Sequence, residues 1–227
     1  MGTTSPRSER TAPHRSRQRR PPSVSVDQSD FRFRPLTEPD ARQIARWRYP
    51  ALYAFYDLPE EAWSDLLGLG PDFQAVDLAP GTILPARPRP SRSLGRWPDL
   101  VRRTLRRDHS LAPGPARHDA GVAGFVCFGK EAQILGARDA GLYTRDALDI
   151  GIGLRPDLTG QGLGGAFFGA CLDHAGRTRE PGALRLAVAA FNTRAIAVYT
   201  HAGFRPLDHC QSPVRGRPVE FVILVRD

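Results

Sequence analysis

Residues 148–204 decide the fold of this chain, and they read LDIGIGLRPDLTGQGLGGAFFGACLDHAGRTREPGALRLAVAAFNTRAIAVYTHAGF. Residues 148–154 alternate like a β-strand and run into a turn at Pro156. Four glycines then fall within residues 160–165, where an amphipathic helix begins. A strand, a glycine loop and a helix N-terminus in this order present several backbone N–H groups to one point, which favours a bound phosphate.

Other interpretations of the glycine loop fit the spacing less well. Gly160, Gly162 and Gly165 satisfy the dinucleotide-binding pattern G-x-G-x-x-G, but five residues separate the loop from the strand end at Leu154. The strand-like residues 184–189 also lack the acid that such a site needs about twenty positions on. A Walker loop is excluded because no Gly-Lys-Ser/Thr follows, and a tight turn that packs a helix on a sheet stays open.

The second half of the stretch adds a spaced set of residues. Asn192 can cap a helix that carries Ala195 and Tyr199 and stops at Gly203, directly before Phe204. Together with the glycine loop, this spacing resembles the GNAT superfamily of acyl-CoA N-acyltransferases over about the last third of the chain. Residues 31–47 resemble the first strand and helix of the same fold more loosely.

The resemblance implies an α/β fold with a mixed, mostly antiparallel sheet, flanking helices and a splayed central strand pair. It implies acetyl-CoA as co-substrate and no metal. At the place where the family loop usually starts with Arg or Gln, this chain has Thr159. The residues that the resemblance assigns to the carrier are Ile152, Gly153, Leu154, Thr159, Gly160, Gln161, Gly162, Leu163, Gly164, Gly165 and Asn192.

Three residues are candidates for the proton transfers. Tyr199 stands where the family has its general-acid tyrosine, seven residues or two helical turns after Asn192. A phenol of pKa ~10 can donate to a thiolate whose thiol has a pKa of ~8.5. Glu131, after a predicted strand, and Asp149 are alternative general bases, acting directly or through water. Asp149 shares one strand face with two glycines, and that face could let a thin ligand approach the backbone.

An aromatic connection at residues 47–57 contains Tyr49, Tyr53 and Tyr56. By the resemblance, these tyrosines form the acceptor-binding wall. A core cluster that holds the connection in place explains the same residues equally well.

The rest of the chain completes the predicted sheet. Alternation and capping signals predict strands at residues 31–36, 72–77, 121–128, 184–189, 204–208 and 219–225, and helices at residues 37–47, 59–67, 161–177 and 192–201. Strands and helices alternate around one sheet, which is typical of an α/β protein.

Charge is concentrated in two segments rich in Pro and Arg. The net charge is +8, and residues 1–30 and 86–118 contain 15 of the arginines. We expect a disordered basic tail at residues 1–29, a catalytic domain at residues 30–227, and an insertion at about residues 78–120 with an amphipathic patch at residues 97–107. Such a tail can bind nucleic acid or an acidic partner, but the composition favours a solvated tail, since arginine is the default basic residue of this chain.

Composition also bounds the location. No run of about eighteen apolar residues is present, and residues 1–30 lack the apolar segment of a signal peptide. Three cysteines without C-x-x-C spacing suggest reduced thiols and a cytoplasmic protein.

Two functions remain open at this level. The first is an N-acetyltransferase that moves an acetyl group from acetyl-CoA to a primary amine, either on a small molecule or at a protein N-terminus, as a monomer or homodimer. The second is an acyl-CoA-binding module without turnover, recruited to RNA or an acidic partner by its basic segments.

Overall fold

The computed structural model describes residues 26–84 and 121–227. They contain one seven-stranded sheet of order β1-β2-β3-β4-β5-β7-β6. Its strands are β1 (Phe31–Pro35), β2 (Phe73–Leu78), β3 (Val122–Phe128), β4 (Leu148–Leu154), β5 (Leu184–Ala189), β6 (Arg205–Val214) and β7 (Arg217–Arg226). The α-helices are α1 (Glu38–Ala45), α2 (Trp63–Gly68), α3 (Leu135–Asp139), α4 (Gly164–Arg179) and α5 (Thr193–His201). In the described ranges, no helix is both long and apolar enough to cross a membrane.

All neighbouring strands in this sheet are antiparallel except β4 and β5. The predicted mixed, mostly antiparallel sheet is therefore confirmed. The parallel pair sits at the centre of the strand order, and the remaining strands form antiparallel ladders on either side of it.

Local signals place the helix ends. The Thr37 amide and hydroxyl both donate to the Asp40 carboxylate, at 3.0 and 2.6 Å, which fixes the start of α1. The Asn192 Oδ1 accepts from the Ala195 N–H at 3.3 Å and caps α5. Gly203 follows α5 with φ +90°, a conformation that glycine adopts without strain.

The core lies on both faces of the sheet. On one face α4 contributes Phe167 and Phe168 to the larger apolar cluster. On the other, Ile44 of α1 and Leu66 of α2 pack with Phe73 in a second cluster. Because side chains alternate across a strand, adjacent residues of β2 and β3 fall into different clusters.

Most predicted strands are present in the structure, and some differ from it in their limits. β4 and β5 have the predicted limits, and residues 121–128 pair with β2 as expected. The strands predicted at residues 204–208 and 219–225 are longer in the structure, where they form a hairpin. The short helix α3 was not predicted. Most of the predicted tail, and residues 85–120 of the predicted insertion, lie outside the described residues. Val26, placed in the tail by the sequence, is 8% exposed and belongs to the larger cluster.

Candidate active site

The central strands β4 and β5 part soon after they meet. Their register contains only two pairs, Leu148 with Leu184 and Asp149 with Arg185. The Leu148 N–H donates to Ala183 on the β5 side, at 2.9 Å. Because backbone groups alternate along a strand, those of Ile152 also point toward β5, where no strand of the described residues faces them. This opens a gap with an unpaired strand edge along one side.

The two glycines on the other face of β4 have a packing role. A Cβ on Gly153 would overlap the Phe125 ring, and one on Gly151 would stand 2.7 Å from the Cys127 Sγ. Both neighbours belong to β3. The expectation that this glycine face admits a ligand is therefore wrong, because β3 side chains occupy the space. The free edge at Ile152 remains the accessible part of β4.

Asp149 lies at the closed end of the gap in a buried ion pair. Its carboxylate accepts from the Arg185 Nε at 2.6 Å and Nη2 at 2.9 Å, and the two side chains are 4% and 2% exposed. Gln133 Nε2 donates to the same carboxylate at 2.6 Å. With its oxygens engaged and no exposure to the gap, Asp149 links β4 to β5, and the structure does not support its predicted role as general base.

Glu131 also lies away from the open end of the gap. It is exposed, in the 3-10 helix Gly129–Ala132 that follows β3. The adjacent Phe128 pairs with Ile150, whereas the open end is at Leu154, four residues or about 13 Å further along the strand. The structure therefore does not bring Glu131 together with the glycine loop.

The glycine loop connects the open end of β4 to α4. Gly160 and Gly162 have φ of +74° and +83°, which residues with side chains rarely adopt. These two conformations delay the helix to Gly164, three residues after its predicted start. The first hydrogen bond of α4 runs from the Phe167 N–H to the Leu163 carbonyl, so the preceding N–H groups of the helix have no partner inside it.

Thr159 and Gln161 serve the geometry of this loop. The Thr159 hydroxyl donates to the Pro156 carbonyl at 2.7 Å, and the Gln161 side-chain amide donates to the Asp157 carbonyl. Leu163 is buried in the larger cluster and anchors the end of the loop. The loop thus presents its backbone, and these three side chains hold it in place.

Arg194 lies next to this loop, although no sequence signal had singled it out. Its Nη1 is 3.7 Å from the position of a Cβ on Gly160. Its guanidinium carbon is 4.8 Å from the centre of the Tyr53 ring. The first turn of α5 thus places a cation beside the glycine loop.

The aromatic connection bridges the two strand ends. The Tyr49 hydroxyl donates to the Leu154 carbonyl at 2.9 Å, at the end of β4. Asn192 Nδ2 donates to the Tyr56 hydroxyl at 3.1 Å, just beyond β5. The Tyr53 and Tyr56 rings pack against Phe191, at centroid distances of 6.2 and 6.3 Å. The three predicted tyrosines therefore lie together at the open end, and burial raises the pKa of both Tyr49 and Tyr56.

Sequence reasoning missed Asp57, which closes the aromatic connection. Its carboxylate accepts the Tyr49 N–H at 2.8 Å, and its backbone carbonyl accepts from Arg215 of the β6–β7 hairpin. The side chain is half-buried. An acid directly after an aromatic run was the only available signal, and nothing in the sequence distinguished it from a solvated carboxylate.

Tyr199 lies two turns into α5, on the side that faces α4. Its ring is 4.6 Å from that of Phe168, and among the described residues its hydroxyl has no hydrogen-bond partner. Burial raises the pKa of this phenol well above its usual range, and neighbouring Tyr56 and Cys171 raise it further. Tyr199 therefore carries its proton throughout the neutral range and has it available to donate.

The cysteines do not provide a reactive thiolate. Cys127 and Cys171 are buried free thiols, and burial raises the pKa of Cys127 to about 12. The pKa of Cys171 and that of Cys210 are raised for the same reason. Among the described residues, no group of three or more potential metal ligands occurs.

One family model matches this chain over more than half of its length. The model of the acetyltransferase (GNAT) family matches residues 79–204, just over half of the chain. No curated protein matches the chain.

Solved structures share the fold at low identity. The spermidine N-acetyltransferase from Vibrio cholerae, in complex with CoA and spermine, is 16% identical with a TM-score of 0.54, covering 87% of this chain and 95% of its own. An acetyltransferase (GNAT family) from Bacillus anthracis is 12% identical with a TM-score of 0.54, covering 87% and 94%. At these identities the likeness shows the fold alone.

Proposed function

The chain belongs to the acetyltransferase (GNAT) family, and we propose that it moves an acetyl group from acetyl-CoA to a primary amine by direct attack in a ternary complex. The observation that carries this proposal is the parting of β4 from β5 beside the glycine loop. The aromatic connection adjoins the same opening, and Tyr199 lies on the side of α5 that faces α4, with Tyr56 among its neighbours. One region thus combines a binding place for a phosphate-bearing carrier with a proton donor and an acceptor wall.

Backbone groups hold the carrier in this proposal. The amides at the start of α4 take the diphosphate, because unpaired N–H groups at a helix N-terminus favour an anion. The free edge of β4 at Ile152 offers one N–H and one C=O to the amide-bearing arm of the carrier, as a neighbouring strand would. The Leu154 carbonyl already accepts from Tyr49, so the connection is tied to the edge on which the carrier lies.

The reaction exchanges a C–S bond for a C–N bond. The neutral acceptor nitrogen attacks the thioester carbonyl carbon, and the electron pair of the breaking C–S bond goes to sulfur. Tyr199 donates its hydroxyl proton to that sulfur, the nitrogen of the new amide loses one proton to water, and water returns a proton to the Tyr199 oxygen before the next turnover. General acid help of this kind contributes about 10²–10⁴-fold to the rate.

The acceptor supplies its neutral form without a buried base. Asp149 is ion-paired, and Glu131 lies near the closed end of the gap. The acceptor ammonium group therefore loses its proton to solvent through the open end. This arrangement suits an amine with a pKa near ~8, as at a protein N-terminus, better than a lysine near ~10.4. Asp57 and the aromatic connection form a wall of mixed polarity for such an acceptor.

A two-step experiment tests the proposal. Thermal shift with acetyl-CoA comes first, and we expect stabilisation that saturates with concentration. Release of free CoA thiol is then measured against spermidine, spermine, lysine and a short peptide with a free N-terminus, with the N-acetylated peptide as a matched blank. Thiol release with at least one amine supports the transferase. Stabilisation without release across the whole panel would leave the carrier-binding module instead.

A further inference from the structure

We propose that Arg194 supplies the positive charge that neutralises the carrier diphosphate, a role that the glycine loop cannot fill from its own residues. This inference rests on the proposed function, because it needs a phosphate-bearing carrier at the loop. It assigns Arg194 as a binding residue contributed by α5 rather than by the loop.

Geometry places the guanidinium at the loop. Arg194 Nη1 lies 3.7 Å from the position of a Cβ on Gly160, which is van der Waals distance, so the guanidinium borders the loop at this glycine. Gly160 itself has φ +74° and is exposed. A phosphate oxygen held by the amides beyond Gly160 would therefore come within reach of a guanidinium N–H donor.

The charge of Arg194 is not used elsewhere in the described part of the chain. Within residues 26–84 and 121–227, Arg194 forms no ion pair with a carboxylate. The other arginine close to the loop, Arg155, pairs with Asp157 at 2.7 Å. Thr159 directs its hydroxyl back to Pro156. Among the described residues near the loop, Arg194 is therefore the cation that remains available to an anionic ligand.

Tyr53 holds the guanidinium in position. The 4.8 Å separation between the guanidinium carbon and the ring centre is a cation–π contact, which restrains a side chain that would otherwise be mobile. Tyr53 in turn packs on Phe191, two residues before the start of α5. The aromatic connection thus has two functions in this proposal, as the acceptor wall and as support for the diphosphate cation.

The test separates the phosphate contact from the rest of the carrier. The Arg194→Gln variant is compared with the wild-type chain for two acyl donors, acetyl-CoA and S-acetyl-pantetheine, which lacks the diphosphate. Arg194 is exposed and solvent screens its charge-assisted hydrogen bond to a phosphate, so we expect Kd for acetyl-CoA to rise about 5–30-fold. We expect no change above about twofold for S-acetyl-pantetheine.

Control variants define the mechanism. Arg194→Lys keeps the charge but loses the planar fork, and we expect a partial recovery of affinity. Arg177→Gln removes an exposed arginine near the far end of α4, about 20 Å along the helix from the loop, and should leave both donors unaffected. The affinity of the wild-type chain for acetyl-CoA should fall with added salt more steeply than that of Arg194→Gln.

The outcomes distinguish this inference from the proposed function. If the wild-type chain does not bind acetyl-CoA, the proposed function itself fails. If the wild-type chain binds but Arg194→Gln retains its Kd and salt dependence, the assignment of Arg194 is wrong and the proposed function stands. Equal weakening for both donors would also overturn the assignment, because it would show a general disturbance of the site.

Discussion

Replacing Asp149 by Asn should destabilise the protein strongly while leaving turnover nearly intact. The carboxylate and the Arg185 side chain are 4% and 2% exposed, and the pair is bidentate. Asparagine removes the charge and leaves the guanidinium buried without a counter-ion. Breaking one partner of a buried pair costs about 3–5 kcal/mol in free energy of unfolding. For a domain of this size, that corresponds to a fall in Tm of about 6–20 °C.

Urea unfolding followed by circular dichroism measures the stability, and kcat is measured well below the Tm of the variant. Glu60→Gln is the matched control, since it breaks the Arg46 pair whose side chains are 65% and 64% exposed and should cost under about 1 kcal/mol. Should Asp149→Asn fail to fold, the Asp149→Leu and Arg185→Met double variant replaces the whole pair with apolar side chains and should recover stability.

A catalytic role of the Asp149 carboxylate predicts the opposite result. If the free energy of unfolding of Asp149→Asn is within about 1 kcal/mol of the wild-type value but its kcat is lower by 100-fold or more, the carboxylate acts in catalysis. A loss of the acidic limb of the pH–rate profile in the same variant would identify it as the general base.

The glycine loop, the Tyr199 phenol and the Cys127 thiol each make a measurable prediction. Gly164→Val should weaken acetyl-CoA binding at least tenfold in calorimetry and leave Tm within a few degrees, because a Cβ there meets only Val198 at 3.5 Å; unchanged affinity would show that the loop is not the binding site. Tyr199→Phe should lower kcat by about 10²–10⁴-fold with little change in KM for acetyl-CoA. Since burial raises the pKa of Tyr199, the wild-type enzyme should lose no activity through ionisation of this phenol between pH 6 and about 9. A loss of activity in that range would show that Tyr199 is not the acid, and so would an unchanged kcat in Tyr199→Phe. Cys127, whose pKa is raised to about 12, should resist alkylation in the native state at pH 8 and react only on unfolding. Rapid alkylation of Cys127 in the native protein would contradict this protection. Because the thiol ionises at lower pH in the unfolded chain, the free energy of unfolding should also fall as pH rises above about 9.

Local patterns were sufficient for much of the fold. Strands β4 and β5 have the predicted limits because their alternation and their flanking turns are encoded in adjacent residues. Asn192 caps α5 for the same reason, since its side chain reaches an amide only three residues away. Helix α4 begins later than predicted because apolar periodicity does not report the positive φ values of Gly160 and Gly162.

Roles that depend on long-range contacts could not be predicted in this way. Gly151 and Gly153 are consistent with an open ligand face in the sequence, yet β3 side chains fill that face. Asp149 and Glu131 were equally plausible bases until the structure showed one in a buried ion pair and the other near the closed end of the gap.

Local sequence patterns were enough to predict the family, the order of strands and helices along the chain, and the loop and helix that face the gap. These features depend on residues within a few positions of one another, where spacing fixes geometry. Tertiary structure alone decided which side chains meet: Arg185 with Asp149 across 36 positions, Tyr49 with Leu154 across 105, and Asn192 with Tyr56 across 136. Such pairs form only when strands separated in sequence become neighbours, and their energies depend on burial that no local pattern records.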